Sequence, residues 1–511
     1  MSAFQKIPPE VLTKIVEILR ESYSPFKLDK SVYSLAVTCR RLYIICEPLL
    51  YSRFSNKSKF KSIRKLSRFI RMLILRPDRW SDFKFISIRW GYGISRLSLS
   101  RDQHMELADV PFLKTAIDGL PDELLKLQNR TNGNTGGVET YVADLIKTFK
   151  RLLDVNIALT YPELMISILT ILGPNIKKLQ VKINSSDANA PNRHWRAQIF
   201  RVVSPLKFIK LEELHYVAVT FRESNPRRII YTRLNAQLLD NFMKIPSLKK
   251  LKVDGFAFQS ESLSREVTNL GSCEAESLDL MYNFEVYFMN WTRFFAIFWK
   301  LKHFSYDGNS KDMFRDGRRV DYFVVPGFLR RLMRGISVHG DSLESLSLMG
   351  IRRLVSEDTH IELLNTTVLT KFSCLKHMKI QLDLLIGFEG CSEGSLLHEF
   401  LPNSLETLEL WSQDRLECGT LTGNLLGLKR HKESDPSFAL REVKFVYVIE
   451  IFQVEETWKI EMIKGLGENG IHLVFVGLPI EDACPGLLNR RSMGRASMSQ
   501  RIVRSKEKEY N

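Results

Sequence analysis

The sequence predicts an α/β protein: short strand–helix units stacked into a solenoid, preceded by a small all-helical module. Two observations carry this. A triplet of apolar residues at positions 1, 4 and 6 of a short segment recurs along most of the 511 residues. The first fifty residues lack that triplet and carry apolar stripes of helical period instead. With 44% hydrophobic residues the chain can bury a large core. Length alone suggests about three domains of about 150 residues. The repeat replaces that count with one stacked array over residues 83–480, after a module at 1–54 and a linker at 55–82.

Residues 7–54 read as three short helices. Pro8 and Pro9 stand at a first helical turn, where the missing N–H would be unpaired anyway. Leu12, Ile15, Val16 and Leu19 then follow at i, i+3, i+4 and i+7. Asp29 or Ser31 can cap a second helix carrying Val32, Leu35 and Ala36. A third begins near Arg40 and offers Leu42, Ile45 and Leu49. So short a module buries little surface and is expected to lean on a partner or on the following domain.

Three segments carry a family resemblance. Ile7-Pro8-Pro9-Glu10-Val11-Leu12, Leu35-Ala36-Val37-Thr38-Cys39-Arg40-Arg41-Leu42 and Glu47-Pro48-Leu49-Leu50-Tyr51, in that order, resemble an F-box. Ile7 stands where that family opens on leucine, and the stretch from Glu21 to Lys30 is longer than its usual link. The resemblance implies a Skp-type adaptor and, through it, a cullin as partners. It also implies Ile7, Pro8, Leu12, Ile15, Leu35, Val37, Cys39 and Arg40 as the adaptor-binding residues.

The triplets begin with Phe83-Ile86-Ile88, Leu152-Val155-Ile157, Ile176-Leu179-Val181 and Leu211-Leu214-Tyr216. Leu248-Leu251-Val253, Ala275-Leu278-Leu280, Leu301-Phe304-Tyr306 and Leu343-Leu346-Leu348 follow. The last are Leu375-Met378-Ile380, Leu405-Leu408-Leu410, Leu440-Val443-Phe445 and Ile471-Val474-Val476, with Ile94-Leu97-Leu99 a candidate for one more. Each gives a strand whose alternating residues face opposite ways, and an amphipathic helix such as Tyr161–Leu172 returns the chain. The pattern resembles leucine-rich repeats in an irregular form, with that family's asparagine present only as Asn184, Asn283 and Asn309. The resemblance implies parallel strands on a concave face and helices on a convex one.

Positions 3, 5 and 7 then point away from the helices. They read Lys178, Gln180, Lys182; Glu213, His215, Val217; Lys250, Lys252, Asp254; and His303, Ser305, Asp307. His377, Lys379, Gln381 and Thr407, Glu409, Trp411 complete the set. A polar, charged face with an aromatic suits a protein target. Lys178, Lys182, Lys250, Lys252, His303, Asp307, His377, Lys379, Glu409 and Trp411 are the candidate target-binding residues. In the final unit Leu473 and Phe475 fall at positions 3 and 5, so both strand faces are apolar, as under a terminal cap.

The formal charge of +16 is concentrated. Asn56 to Trp80 carries nine basic residues against Asp78, with Phe60, Ile63, Leu66, Phe69, Ile70 and Leu73 at helical spacing, and reads as a bridging helix with its basic side wet. Leu488 to Asn511 is basic, rich in Ser and aperiodic, and reads as a disordered tail over 481–511. Gln128 to Gly137 reads as a flexible insertion. Neither basic stretch interleaves aromatics as single-strand binders do, which argues against nucleic acid.

Catalytic signatures are missing. Gly465-Leu466-Gly467-Glu468-Asn469-Gly470 matches GxGxxG, but a helical pattern precedes it and a strand follows, the reverse of a dinucleotide site. The seven cysteines are scattered without a CxxC, so neither a disulfide framework, a metal site nor a zinc-bound ligase module assembles. No charged-then-apolar leader opens the sequence, and the run Phe294–Trp299 is far too short to span a bilayer. The expectation is a soluble, non-enzymatic, cofactor-free protein of cytoplasm or nucleus. The two functions it fits are a ligase receptor holding an unknown protein substrate, and a scaffold that uses its basic segments on nucleic acid or chromatin.

Overall fold

The computed structural model describes residues 7–22, 32–55, 69, 71–90, 169, 171–184, 208–219, 221–222, 229–230, 232–234, 243–254, 256–258, 271–281, 290–308, 328–350, 366–386, 397–412, 418–448 and 456–478. The chain divides into two units, Met1–Thr232 with Leu238–Leu248, and Arg233–Gln237 with Lys249–Asn511. Twelve strands belong to one all-parallel sheet in the order of the sequence. Four lie in the first unit and eight in the second.

In the first unit, α1 (Pro9–Ser22), a short helical stretch at 32–36 and α2 (Arg40–Tyr51) enclose a small core. Val16, Val32, Ala36 and Cys46 form it, with Leu35, Leu49 and Leu50 against them. One residue after α2 the chain becomes β1 (Arg53–Ser55), which pairs with β2 (Phe85–Trp90). The sheet therefore starts inside the stretch that the sequence assigns to the helical module, not at Phe83. Phe54 sits opposite Ile86, stacks on Phe69 at 3.8 Å, and so is the single anchor of an incomplete triplet.

β2 pairs directly with β3 (Lys178–Asn184), which pairs with β4 (Glu213–Val219). The units expected at Leu152-Val155-Ile157 and Ile94-Leu97-Leu99 lie outside the described residues. So do the insertion at 128–137, the tail at 481–511, Asn283, Asn309 and half of the linker.

The second unit runs β5 (Lys250–Asp254), β6 (Ser277–Met281), β7 (His303–Asp307), β8 (Ser345–Met349), β9 (His377–Gln381), β10 (Thr407–Ser412), β11 (Glu442–Val448) and β12 (His472–Leu478). In register, Leu251, Leu278, Phe304, Leu346, Met378, Leu408 and Val443 form one buried row. Val253, Leu280, Tyr306, Leu348, Ile380, Leu410 and Phe445 form the next. Burying such side chains yields about 1.5–3 kcal/mol each, and only stacked neighbours can cover them. Helices α3 (Trp291–Phe295), α4 (Phe328–Ile336), α5 (Cys418–Ser434) and α6 (Glu456–Gly467) lie between strands. Phe295 of α3 meets Phe304 at 5.1 Å and Phe328 of α4 meets Tyr306 at 5.5 Å, so the buried rows face the helices.

The last repeat differs in register from the sequence pattern. Val443 pairs with Leu473 and Phe445 with Phe475, so Leu473 and Phe475 are the anchors, not Val474 and Val476. Ile471, also buried, misled the spacing because it precedes the strand where Gly470 takes position 1. Gly470 (φ +72°) and the bond from Ile471 N–H to Leu466 O close α6, so the GxGxxG glycines are a helix end and turn before a strand.

Two hydrogen-bond devices tie neighbouring repeats. In the first, the carbonyl of the residue before a strand accepts two N–H groups from the next repeat: Glu276 O from Lys302 and His303, Lys302 O from Glu344 and Ser345, Glu344 O from Lys376 and His377. The second is a serine rung. Ser247, Ser342 and Ser404 donate their hydroxyls to Leu211 O, Leu301 O and Leu375 O at 2.9–3.0 Å. Ser342→Ala should lower stability by about 1 kcal/mol, read as a drop in the urea midpoint; an unchanged midpoint would remove the rung's role.

Candidate interaction surfaces

The helical module is amphipathic on both sides. On α1, Leu12 is 2% exposed and Val16 is buried, while Val11, Ile15 and Ile18 at i, i+4 and i+7 form a second, exposed stripe. Tyr33 and Val37 repeat this, and Tyr43 and Ile44 extend it on α2. Seven of the thirteen exposed large apolar side chains among the described residues thus fall within this one small module, with Ile15 at 43%, Ile44 at 62% and Val37 at 64%. Such crowding is unlike the single, scattered exposure that is ordinary on a protein surface. Lys14 and Arg40 are exposed beside it.

Of the residues the sequence assigns to adaptor binding, Pro8, Ile15, Val37, Cys39 and Arg40 are exposed and Ile7 is half-buried. Ile7 is held by Arg41, which donates to its carbonyl at 2.5 Å. Leu12 and Leu35 turn inward, Leu35 against the module's core. Val11, Ile18, Tyr33, Tyr43 and Ile44 were not singled out. Their signal in the sequence is a second helical stripe beside the one that carries Leu12 and Val16.

The strand faces turned away from the helices are polar and internally bonded. In the first unit Ser87 donates to Gln180 at 2.8 Å, Gln180 meets His215 at 2.7 Å and Lys178 pairs with Glu213 at 2.7 Å; Lys182 lies further along β3. In the second, Lys250 pairs with Asp279 at 3.0 Å, and Lys252 and Asp307 occupy the same face, half-buried. His303 and His377 are exposed in one row with Ser345 between them, and His377 meets Thr407 at 2.8 Å.

The densest cluster spans β9 to β11. Glu409 pairs with Lys379 at 3.0 Å and Lys444 at 3.3 Å and accepts from the Trp411 indole at 2.5 Å. Lys379 sits 4.4 Å over the Trp411 ring. Burial acts to raise the Glu409 carboxyl, but the Trp411 and Lys379 hydrogen bonds and the two lysine charges outweigh it and hold it below the ordinary range. The structure thus brings Lys379, Glu409 and Trp411 together with Lys444, which was not singled out, and a half-buried aromatic is fixed there before any partner arrives. Lys178, Lys250, Lys252 and His303 lie apart from that cluster.

One further contact joins two histidines. His398 stacks on His431 of α5 at 5.2 Å. Burial first, and the His431 charge second, hold His398 below the ordinary histidine value. The unfolded chain then takes up a proton that the folded chain resists. Stability from neutral His398 is present above about pH 6.5 and lost as pH falls through the folded value. Buried His339, near Phe295 O at 2.9 Å, is lowered by burial in the same direction. The Tm should fall between about pH 7 and pH 5, and His398→Asn should flatten that fall; equal pH profiles would exclude the pair.

Among the described residues no group of three His, Cys, Asp or Glu side chains could hold a metal ion, and no helix is long and apolar enough to cross a membrane. No protein-family model matches the chain, and no curated protein does.

Proposed function

We propose that the protein is the target-recognition subunit of a Skp–cullin–F-box ubiquitin ligase. The helical module docks the adaptor, and the polar strand face, with the Trp411 cluster at its most ordered part, holds a protein target. The observation that carries this is the exposed apolar side chains crowded on a module of three short helices, whose sequence has the order of F-box segments. Catalysis here is proximity: target and charged conjugating enzyme are held together, and no side chain of this chain does chemistry. No cofactor is required, and the cytoplasm or nucleus is the expected setting.

The test is reconstitution. The purified full chain should form a stoichiometric complex with a Skp-type adaptor and a cullin and support ubiquitin transfer; a well-folded chain that captures no adaptor would sink this function. The scaffold alternative rests on the basic linker, of whose described arginines Arg76 and Arg79 are engaged by carboxylates and Arg71 is exposed.

A further inference from the structure

In the last turns of α2, Glu47 is only 7% exposed although it is a carboxylate. Three groups close on it. Arg76 Nη1 lies at 3.5 Å, Arg79 Nη2 is in direct contact, and the Tyr43 hydroxyl donates at 2.8 Å. Both arginines belong to the turn around Pro77–Asp82, just before β2. On their other side Asp78 takes Arg76 at 3.0 Å and Arg79 at 3.4 Å, and Asp82 takes Arg79 at 3.3 Å. The turn is pinned in its own right, because the Trp80 indole donates to Leu73 O at 2.9 Å.

The module therefore meets the sheet at two places. The first is the chain itself: Ser52, between α2 and β1, accepts at its carbonyl from Lys84 and Phe85. The second is the Glu47 cluster. A covalent joint of one residue leaves an angle free to vary, and a second fixed contact removes that freedom. Removing one partner from the closed cluster would leave a buried charge uncompensated, which is strongly unfavourable.

We propose that Glu47 is a positioning residue: with Arg76 and Arg79 it locks the helical module and the first strand pair into one rigid piece, so that a partner on the module's apolar face is presented at a fixed angle to the sheet. Only the identity of that partner rests on the ligase-receptor function; the lock itself does not.

The test uses the full chain. In Glu47→Gln, the Lys84 and Phe85 amides bonded to Ser52 should exchange about tenfold faster with solvent deuterium, with the β7 and β8 amides unchanged. Unchanged exchange at Lys84 and Phe85 would overturn the lock. If Glu47→Gln unfolds the module, Arg76→Gln removes one outer contact, and there an acceleration of about threefold is expected; none would overturn it.

Positioning is read separately. In the reconstituted ligase, transfer of ubiquitin to the chain's own lysines should fall about fivefold or more in Glu47→Gln, while adaptor affinity stays within about twofold. Equal transfer rates would overturn the positioning role. Failure of the wild-type chain to capture an adaptor would instead defeat the receptor function, leaving the exchange result to decide the lock.

Discussion

Changing Ile15, Val37 and Ile44 together to aspartate should abolish capture of a Skp-type adaptor while leaving the chain folded. All three are exposed: Ile15 on α1, Val37 in the turn just after the 32–36 stretch, and Ile44 on α2. An apolar anchor at the centre of an interface commonly carries about 2 kcal/mol or more. Three carboxylates there should weaken binding by more than about 100-fold. The measurement is a pull-down with purified adaptor, alongside circular dichroism. Capture close to wild type by the folded variant would remove this surface from the docking account. Leu12→Asp is no substitute, although the F-box resemblance points to Leu12. That residue is inside the module, so a charge there breaks the fold and any loss of capture says nothing about docking.

The second large effect is expected at Gly335 of α4, which is not in the left-handed region and looks dispensable by backbone geometry. Its role is close approach. A Cβ added there would stand 2.5 Å from Trp291 Cβ and 2.7 Å from the Trp291 carbonyl carbon. Trp291 is itself wedged among Phe294, Phe295 and Phe328. Alanine in a helix otherwise gains up to about 1 kcal/mol over glycine, whereas overpacking a core costs about 1–3 kcal/mol and occasionally more. The backbone atom cannot yield, so the clash wins. Gly335→Ala should lower the urea midpoint markedly, while Gly423→Ala on α5, with nothing near its added Cβ, should leave it level or raise it. A midpoint that does not fall in Gly335→Ala would mean that α3 and α4 can separate without loss.

The strand anchors were legible because their spacing is local: Leu251 and Val253, or Leu346 and Leu348, declare a half-buried strand within four residues. β1 was not, because Phe54 is a lone anchor and its partners Phe69 and Ile86 lie well along the sequence. The final register failed for the opposite reason. With apolar residues at nearly every position from Ile471 to Val476, two alignments fit equally, and only pairing with Val443 and Phe445 decides between them. On the module, helical periodicity located the amphipathic faces but could not say which of two adjacent stripes faces inward. The Glu47 cluster was hidden because charge counting treats Arg76 and Arg79 as surplus, whereas packing pairs them with a carboxylate some thirty residues back.

The residues that precede the first seven strands of the second unit, β5 to β11, alternate in sign: Lys249, Glu276, Lys302, Glu344, Lys376, Glu406, Arg441. Neighbours pair, Lys302 with Glu276 at 2.7 Å, Lys376 with Glu344 at 3.3 Å and Arg441 with Glu406 at 3.6 Å. Each pair is exposed enough to contribute little to stability, about 0–1 kcal/mol. The pattern has parity all the same. Skipping or duplicating one repeat would set like charges side by side, whereas two together would restore the order. From β5 to β11, the order of charge survives only changes made two repeats at a time.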